Sequence, residues 1–447
     1  MNSSKTSDLN NNDGDNDPFC SWKSLCLDAY STESIIFPVS WKAFSEIEIE
    51  RIELATRNDR LCVTWMGTSS PSSSSSSLSS SSSFPLIWLR DNCRCPGCFN
   101  ASTLSRIAPL KNINGNNIKP EKVSLTDDKK FLIINWEDGH VSHYPARWLR
   151  CNAFSESEPD PLADIQLQLW DASTCMRKFD FNDLLSDDRV LYEMFLEVKV
   201  LGIALIENTP LRTGQLNKLA DKVGFLFPTK YGETFQVRSK ENPSNGAYHT
   251  GDLPLHTDSA SYNTQPGIQM LHCIKQAAHG GGNTLVDGFK VASDLRTTSP
   301  DSYDVLTKQI LEFYDRGTDT LGEFYYHAKH YVLRLNEKNE VDRISLARFR
   351  PASDHGRSAM NRMQVDDVIK TYKALSLFTA LLYAPGNVFE YNMKDGDMLI
   401  MDNYRVLHGR KSFTVSPGSA RHLEGGYFDW DTVMSKLRIL KNNLEEP

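Results

Sequence analysis

The sequence predicts a mainly β protein with flanking helices: a double-stranded β-helix (jelly-roll) barrel over residues 176–447 and a small N-terminal β domain over residues 46–155. Two observations point to the barrel. Short strand-like runs surround the most chemically suggestive histidines, and segments with apolar residues at helical spacing lie beside them. Length points to the second domain, because 447 residues exceed one comfortable core and the pattern changes near Phe179.

Taken in order, residues 1–45 read as a disordered or irregular extension. Met1 to Asp17 is rich in Asn, Ser and Asp and carries no Arg, unlike the basic amphipathic segments that direct proteins to mitochondria, and it holds no apolar core suited to a secretion signal. Ile52 to Met66 and Phe84 to Leu89 are strand-like. Between them lies a stretch from Ser69 to Ser83 in which only Pro71 and Leu78 interrupt serine. Such a segment buries too little apolar surface to order itself, so it is an expanded hairpin connection. Phe181 to Val200 has helical spacing and is followed by a strand-like Gly202 to Ile206. A second helix is expected over Val365 to Tyr383, with Val365, Val368, Ile369, Tyr372, Leu375, Phe378 and Leu382 on one core stripe and Pro385-Gly386 as its stop. Phe389 to Asn392 and Met398 to Met401, joined by Lys394 to Asp397, read as a hairpin leading to His408.

Composition narrows the function. Hydrophobic residues make up 40% of the chain, enough for a folded enzyme, and a net charge of -8 argues against a nucleic-acid partner. No run approaches the roughly 18 apolar residues of a membrane span. Nine cysteines, an odd number, resemble reduced thiols more than a secreted disulfide framework. A cytoplasmic protein with neither nucleic acid nor membrane as partner is expected.

Two groups of residues carry metal chemistry. Leu255-His256-Thr257-Asp258 and Val406 to Arg410 supply two imidazoles and a carboxylate, the facial ligand set of a non-haem iron(II) centre with open positions for a cosubstrate and dioxygen. In extended backbone His256 and Asp258 share a face, and a later strand would deliver His408. The second group is Cys93, Cys95 and Cys98 with His140. Three thiolates and one imidazole suit a structural zinc ion, with His143 as a competing fourth ligand. The spacing differs from paired C-x-x-C units and is equally compatible with unliganded reduced cysteines.

From about Ile52 onward the chain resembles the gamma-butyrobetaine dioxygenase family and its trimethyllysine dioxygenase relatives, iron(II) and 2-oxoglutarate oxygenases. The resemblance rests on Trp88 to Cys98, Leu271 to Gln276, Val286 to Phe289, Asp402 to Arg410, Arg421 to Tyr427, Asp429 to Asp431 and Leu437 to Leu440. It implies that His256, Asp258 and His408 bind iron, that Cys93, Cys95, Cys98 and His140 bind zinc, and that the protein is a homodimer. It implies Arg421 as the cation for the cosubstrate carboxylate, Thr284 as a hydroxyl contact, and ascorbate as a supporting reductant. It further implies an aromatic cage of Tyr231, Phe235, Tyr248 and Tyr427, with Asn245 as a polar contact, around a quaternary ammonium that cannot donate hydrogen bonds. Phe235 stands where the family carries Trp, Ser259 replaces an aromatic residue, and Ile344 to Arg348 lacks the usual asparagines, with Arg348 as a substitute partner for the substrate carboxylate.

The expected reaction is 2-oxoglutarate-dependent hydroxylation of gamma-butyrobetaine to L-carnitine, with release of succinate and CO2. Its rival within the class is hydroxylation of trimethyllysine or another trimethylammonium or amino acid substrate. From another class, the rival is a catalytically silent betaine-binding protein, against which the complete set of His256, Asp258, His408 and Arg421 argues.

Overall fold

The computed structural model describes residues 47–57, 59–66, 81–107, 109, 111, 113, 118–154, 162, 165–238, 250–319, 321–347, 360, 362–414 and 421–445. The chain divides into two compact units, Met1–Asp164 and Ile165–Pro447.

The N-terminal unit is built twice from the same local pattern. Three antiparallel strands, Ile49–Leu54, Arg60–Trp65 and Ser81–Pro85, run into the short helix Leu86–Asp91, and Pro120–Leu125, Phe131–Trp136 and Val141–Pro145 run into Ala146–Cys151. The two halves match in detail. Each tryptophan that ends a second strand donates its indole N–H to a serine on the third, Trp65 to Ser82 and Trp136 to Ser142, both at 2.9 Å. Each helix begins after a proline, whose fixed φ suits a helix entry, and ends with an asparagine amide donating back to a tryptophan carbonyl, Asn92 to Trp88 and Asn152 to Trp148. Alternating residues of both sheets, among them Ile49, Val63, Phe84, Leu132, Ile134 and Tyr144, form one core. The strand-like reading of Phe84 to Leu89 is therefore corrected: the strand ends at Pro85 and Leu86–Asp91 is helical. Arg60–Trp65 pairs with Ser81–Pro85 as the two arms of a hairpin, and most of the serine connection, 67–80, lies outside the described residues.

The C-terminal unit is the barrel. Its six-stranded sheet runs in the order Thr234–Arg238, His422–Phe428, Ile268–Lys275, Met398–Asp402, Ile203–Glu207 and Lys178–Asp180. A four-stranded sheet runs Leu253–His256, Val406–Arg410, Asn283–Asp287 and Phe389–Tyr391. Leu205, Leu271, Leu399 and Leu423 from the first sheet share a core with Leu285, Val406 and Phe389 from the second, so the sheets pack face to face. Helices cover the outer faces. Gly288–Thr298 and Val365–Leu382 bury Val291, Leu295, Leu375 and Phe378 against Val286 and Leu407 of the smaller sheet, and Phe195 of helix Asp188–Leu201 meets Phe428 edge to face at 6.1 Å. Among the described residues no helix is long and apolar enough to cross a membrane.

Three expectations about this unit change. Phe181 to Val200 is two helices, Phe181–Ser186 and Asp188–Leu201, because Asp187 leaves helical geometry to cap the second through the Arg189 N–H. Phe389–Tyr391 and Met398–Asp402 are not a hairpin: the first pairs with Asn283–Leu285 in one sheet and the second with Ile203 to Ile206 and Ile268 to His272 in the other, so Lys394 to Asp397 carry the chain between sheets. On Val365–Leu382, Val365, Ile369 and Tyr372 are exposed rather than core, since the buried stripe runs through Thr371, Ala374, Leu375, Phe378 and Leu382.

Candidate functional site

Strand pairing assembles the first metal-capable group. Leu253–His256 lies antiparallel beside Val406–Arg410 with His256 directly opposite His408, and the imidazole centroids are 4.2 Å apart. Asp258 follows just beyond the strand end. His256 Nε2 is 3.3 Å from Asp258 Oδ1, and His408 Nε2 is 3.7 Å from Asp258 Oδ2. Bonds of about 2.1 Å to one ion place neighbouring donors roughly 3 Å apart, so the three side chains could hold a single octahedral metal. All three are buried. His256 Nδ1–H donates to the Pro254 carbonyl at 2.8 Å, which leaves the Nε2 lone pair to face the site.

The turn that carries Asp258 is held from several sides. Asn403, fully buried, accepts from the Asp258 N–H at 2.7 Å and donates to the carbonyls of Asp258 and Pro266 at 3.1 and 2.9 Å. Thr257 exchanges hydrogen bonds with Leu346 through its N–H and its hydroxyl. Ser259 completes the turn in left-handed backbone at φ 58°, a conformation that costs a non-glycine residue energy and persists where surroundings fix it. The Asp258 carboxylate accepts from the Tyr427 hydroxyl at 2.7 Å and from the Gln269 amide.

A cavity opens from these ligands. At one end two guanidiniums converge: Arg410, two residues after His408 and hence on its face, and Arg421, just ahead of strand His422–Phe428. Both lie near the ring of Phe413, with guanidinium carbons 4.7 and 5.6 Å from its centroid. Burial lowers Arg410 to about 10, and burial together with the charge of Arg410 lowers Arg421 to about 10. Two buried like charges disfavour each other's charged forms, and a carboxylate between them would relieve both. At the other end are Tyr231, Phe235 and Tyr427, with Phe235 centroids 5.7 Å from Tyr231 and 5.6 Å from Tyr427.

The structure does not bring every expected residue to this cavity. Thr284 pairs with Gly409 while His408 and Arg410 pair with Leu285 and Asn283, so alternation turns Thr284 to the opposite face and Asn283 lines the cavity. Asn245, Tyr248 and Arg348 lie outside the described residues. Sequence reasoning missed Arg410, Asn283, Gln269 and Asn403. For Arg410 the signal was available in its position two residues from His408.

In the N-terminal unit, Cys93, Cys95 and Cys98 sit on the turn after helix Leu86–Asp91, with sulfurs 3.3, 3.7 and 3.7 Å from His140 Nε2. A tetrahedral zinc with Zn–S near 2.3 Å and Zn–N near 2.0 Å spaces its ligands about 3.5 to 3.8 Å apart, so these four residues could hold one. The Cys95 thiol is pulled down to about 3, chiefly by the hydrogen bond it receives from Cys93. His140, and not His143, completes the group. Arg90 donates to Cys98 Sγ at 3.5 Å and to Asp138 at 3.2 Å, tying the cysteine turn to the turn that carries His140.

Residues 162–427 match the family model for the taurine catabolism dioxygenase TauD, TfdA family, and residues 52–150 match the gamma-butyrobetaine hydroxylase-like N-terminal model. The chain is 36% identical over 369 residues to gamma-butyrobetaine dioxygenase of Homo sapiens, covering 81% of this chain and 92% of that one. It is 32% identical over 365 residues to gamma-butyrobetaine dioxygenase of Pseudomonas sp. (strain AK-1), covering 80% and 91%. Against mitochondrial trimethyllysine dioxygenase of Bos taurus it is 30% identical over 361 residues, covering 80% and 82%.

Proposed function

Since this chain belongs to the gamma-butyrobetaine dioxygenase family within the TauD/TfdA dioxygenases, we propose that it hydroxylates gamma-butyrobetaine to L-carnitine, using iron(II), 2-oxoglutarate and dioxygen. The single observation that supports the reading most is the convergence of His256, Asp258 and His408 on a cavity that is also lined by a buried arginine pair and an aromatic cluster. When bound, iron would let dioxygen act as the oxidant, with 2-oxoglutarate giving up two electrons as it leaves as succinate and CO2, so that one oxygen atom enters succinate and the other enters the substrate's unactivated C–H bond.

The chain's own residues supply position. His256, Asp258 and His408 hold the metal through three donors and leave its remaining positions to the cosubstrate and dioxygen. Arg421 takes the distal carboxylate of 2-oxoglutarate, with Arg410 alongside; each gains in charge-assisted hydrogen bonds what burial alone removes. Tyr231, Phe235 and Tyr427 present ring faces to the trimethylammonium group, whose diffuse charge is attracted by aromatic quadrupoles. Tyr427 and the two arginines are buried and Tyr231 and Phe235 half-buried, which limits the water around the reacting carbon.

Cys93, Cys95, Cys98 and His140 hold a structural zinc in this reading, supported by their donor set and spacing. The free cysteines suit a reducing compartment, taken here as the cytoplasm, and the family resemblance supports a homodimer. The test is mass-spectrometric turnover with gamma-butyrobetaine and trimethyllysine offered together. Carnitine as the dominant product is expected; hydroxytrimethyllysine as the dominant product would move the assignment to the sister activity.

A further inference from the structure

Two donors to the Asp258 side chain reach the same oxygen. Tyr427 Oη–H donates to Oδ2 at 2.7 Å and the Gln269 amide Nε2 donates to Oδ2 as well, whereas Oδ1 makes the closer approach to a metal ligand, 3.3 Å from His256 Nε2 against 3.7 Å between Oδ2 and His408 Nε2. The two donors are a designed pair in the sheet, because Gln269 on Ile268–Lys275 stands directly opposite Tyr427 on His422–Phe428 and both project from one face. Gln269 is 2% exposed and lines the cavity, and its Oε1 finds no hydrogen-bond partner among the described residues. An amide held in that state, with one end buried and unsatisfied, is costly unless its other end does something that a leucine would not.

We propose that Gln269 and the Tyr427 hydroxyl are positioning residues that engage Oδ2 and so keep Asp258 a one-oxygen ligand, presenting Oδ1 to the metal while adjacent coordination positions stay open. This rests on the reading of His256, Asp258 and His408 as the iron site. The rigid backbone around Asp258, clamped by Asn403, sets where the carboxyl group is; the Gln269–Tyr427 pair sets how it is rotated. Tyr427 thereby has two separable parts: its ring belongs to the aromatic cluster, stacked on Phe235 at 5.6 Å, and its hydroxyl belongs to the metal ligand.

The test is anaerobic titration of the full chain with Mn(II) and Fe(II), comparing wild type, Tyr427→Phe, Gln269→Leu and the double variant, with His256→Ala as a control and thermal melting to confirm folding. Partners that orient a metal ligand are expected to change affinity by roughly 10- to 100-fold when removed. Each single variant should weaken metal binding by about that factor, the double variant by less than the product because both act on one oxygen. Tyr427→Phe, which preserves the ring and is the variant least able to disturb folding, should also shift the visible charge-transfer band of the anaerobic iron and 2-oxoglutarate complex. Wild-type affinity and an unshifted band in both single variants would overturn the proposal and leave the iron site intact. Wild-type affinity in His256→Ala would overturn the site assignment and the proposal with it.

Discussion

Adding one methyl group at Gly425 should disable the aromatic end of the cavity without touching any residue that contacts metal or cosubstrate. Phe235 and Gly425 are directly opposed across the Thr234–Arg238 and His422–Phe428 strands, and the far end of the ring lies over the glycine. A Cβ at 425 would stand 2.2 Å from Phe235 Cζ, 2.5 Å from Cε2 and 2.8 Å from Cε1. Ordinary carbon contacts begin at about 3.5 Å, so the ring must retreat by roughly 1 Å. It cannot do so freely, being packed between Tyr231 and Tyr427. Loss of one desolvated cation–π partner is worth about 1 to 2 kcal/mol, which predicts for Gly425→Ala a KM for gamma-butyrobetaine raised roughly 5- to 30-fold. The KM for 2-oxoglutarate should hardly move, because the arginine pair lies at the other end. Initial rates with each substrate varied in turn measure both numbers, with a thermal melt to exclude global unfolding. A folded Gly425→Ala protein with an unchanged butyrobetaine KM would refute the placement of the ammonium group against Phe235.

Three other outcomes follow from the same geometry. Arg421→Ala should raise the KM for 2-oxoglutarate by roughly 10- to 100-fold, the cost of a charge-assisted hydrogen-bonded pair, in steady-state kinetics at fixed butyrobetaine; a change below twofold would remove Arg421 from that role. Cys95→Ser should drop zinc content, by elemental analysis, well below one ion per chain and destabilise the N-terminal unit, whereas a full complement of zinc would remove Cys95 from the ligand set. Buried His272 is lowered to about 4, chiefly by burial and next by His422, while the unfolded chain takes up that proton near 6.5. Between those values the unfolded state binds more protons, so stability should fall by up to about 3 kcal/mol as pH drops from 6.5 to 4, and His272→Gln should flatten that slope in denaturant titrations. Parallel slopes for the two proteins would assign the acid sensitivity elsewhere.

What could be read from the sequence was chemistry that announces itself by residue type. His256-x-Asp258, His408, Arg421 and the Cys93 to Cys98 turn are unusual combinations whose donor atoms have few other uses, and the structure does draw each group together. What could not be read was set by pairing across long stretches of chain. Gln269 is an unremarkable polar residue in an apolar strand until register sets it opposite Tyr427, and Asn403 becomes a clamp only because the turn after Met398–Asp402 lies beside Asp258. Thr284 and Asn283 differ by one position, so only the register with His408 and Arg410 decides which faces the cavity. Periodicity similarly shows that Val365–Leu382 has an apolar stripe but not which side of that stripe meets the core, which is why Val365, Ile369 and Tyr372 face solvent. The hairpin expected at 389–401 failed for a related reason: two strands joined by a tight Lys394 to Asp397 turn look the same locally whether they pair or part into opposite sheets.

The central claim is that one metal held by His256, Asp258 and His408 couples 2-oxoglutarate consumption to hydroxylation of a trimethylammonium substrate. The measurement that tests it most directly counts succinate and L-carnitine in the same reaction, for the protein and for His256→Ala, after confirming that both are folded. One succinate per carnitine in the first, and neither product in the second, is the predicted result. Carnitine formed at an undiminished rate by His256→Ala would contradict it.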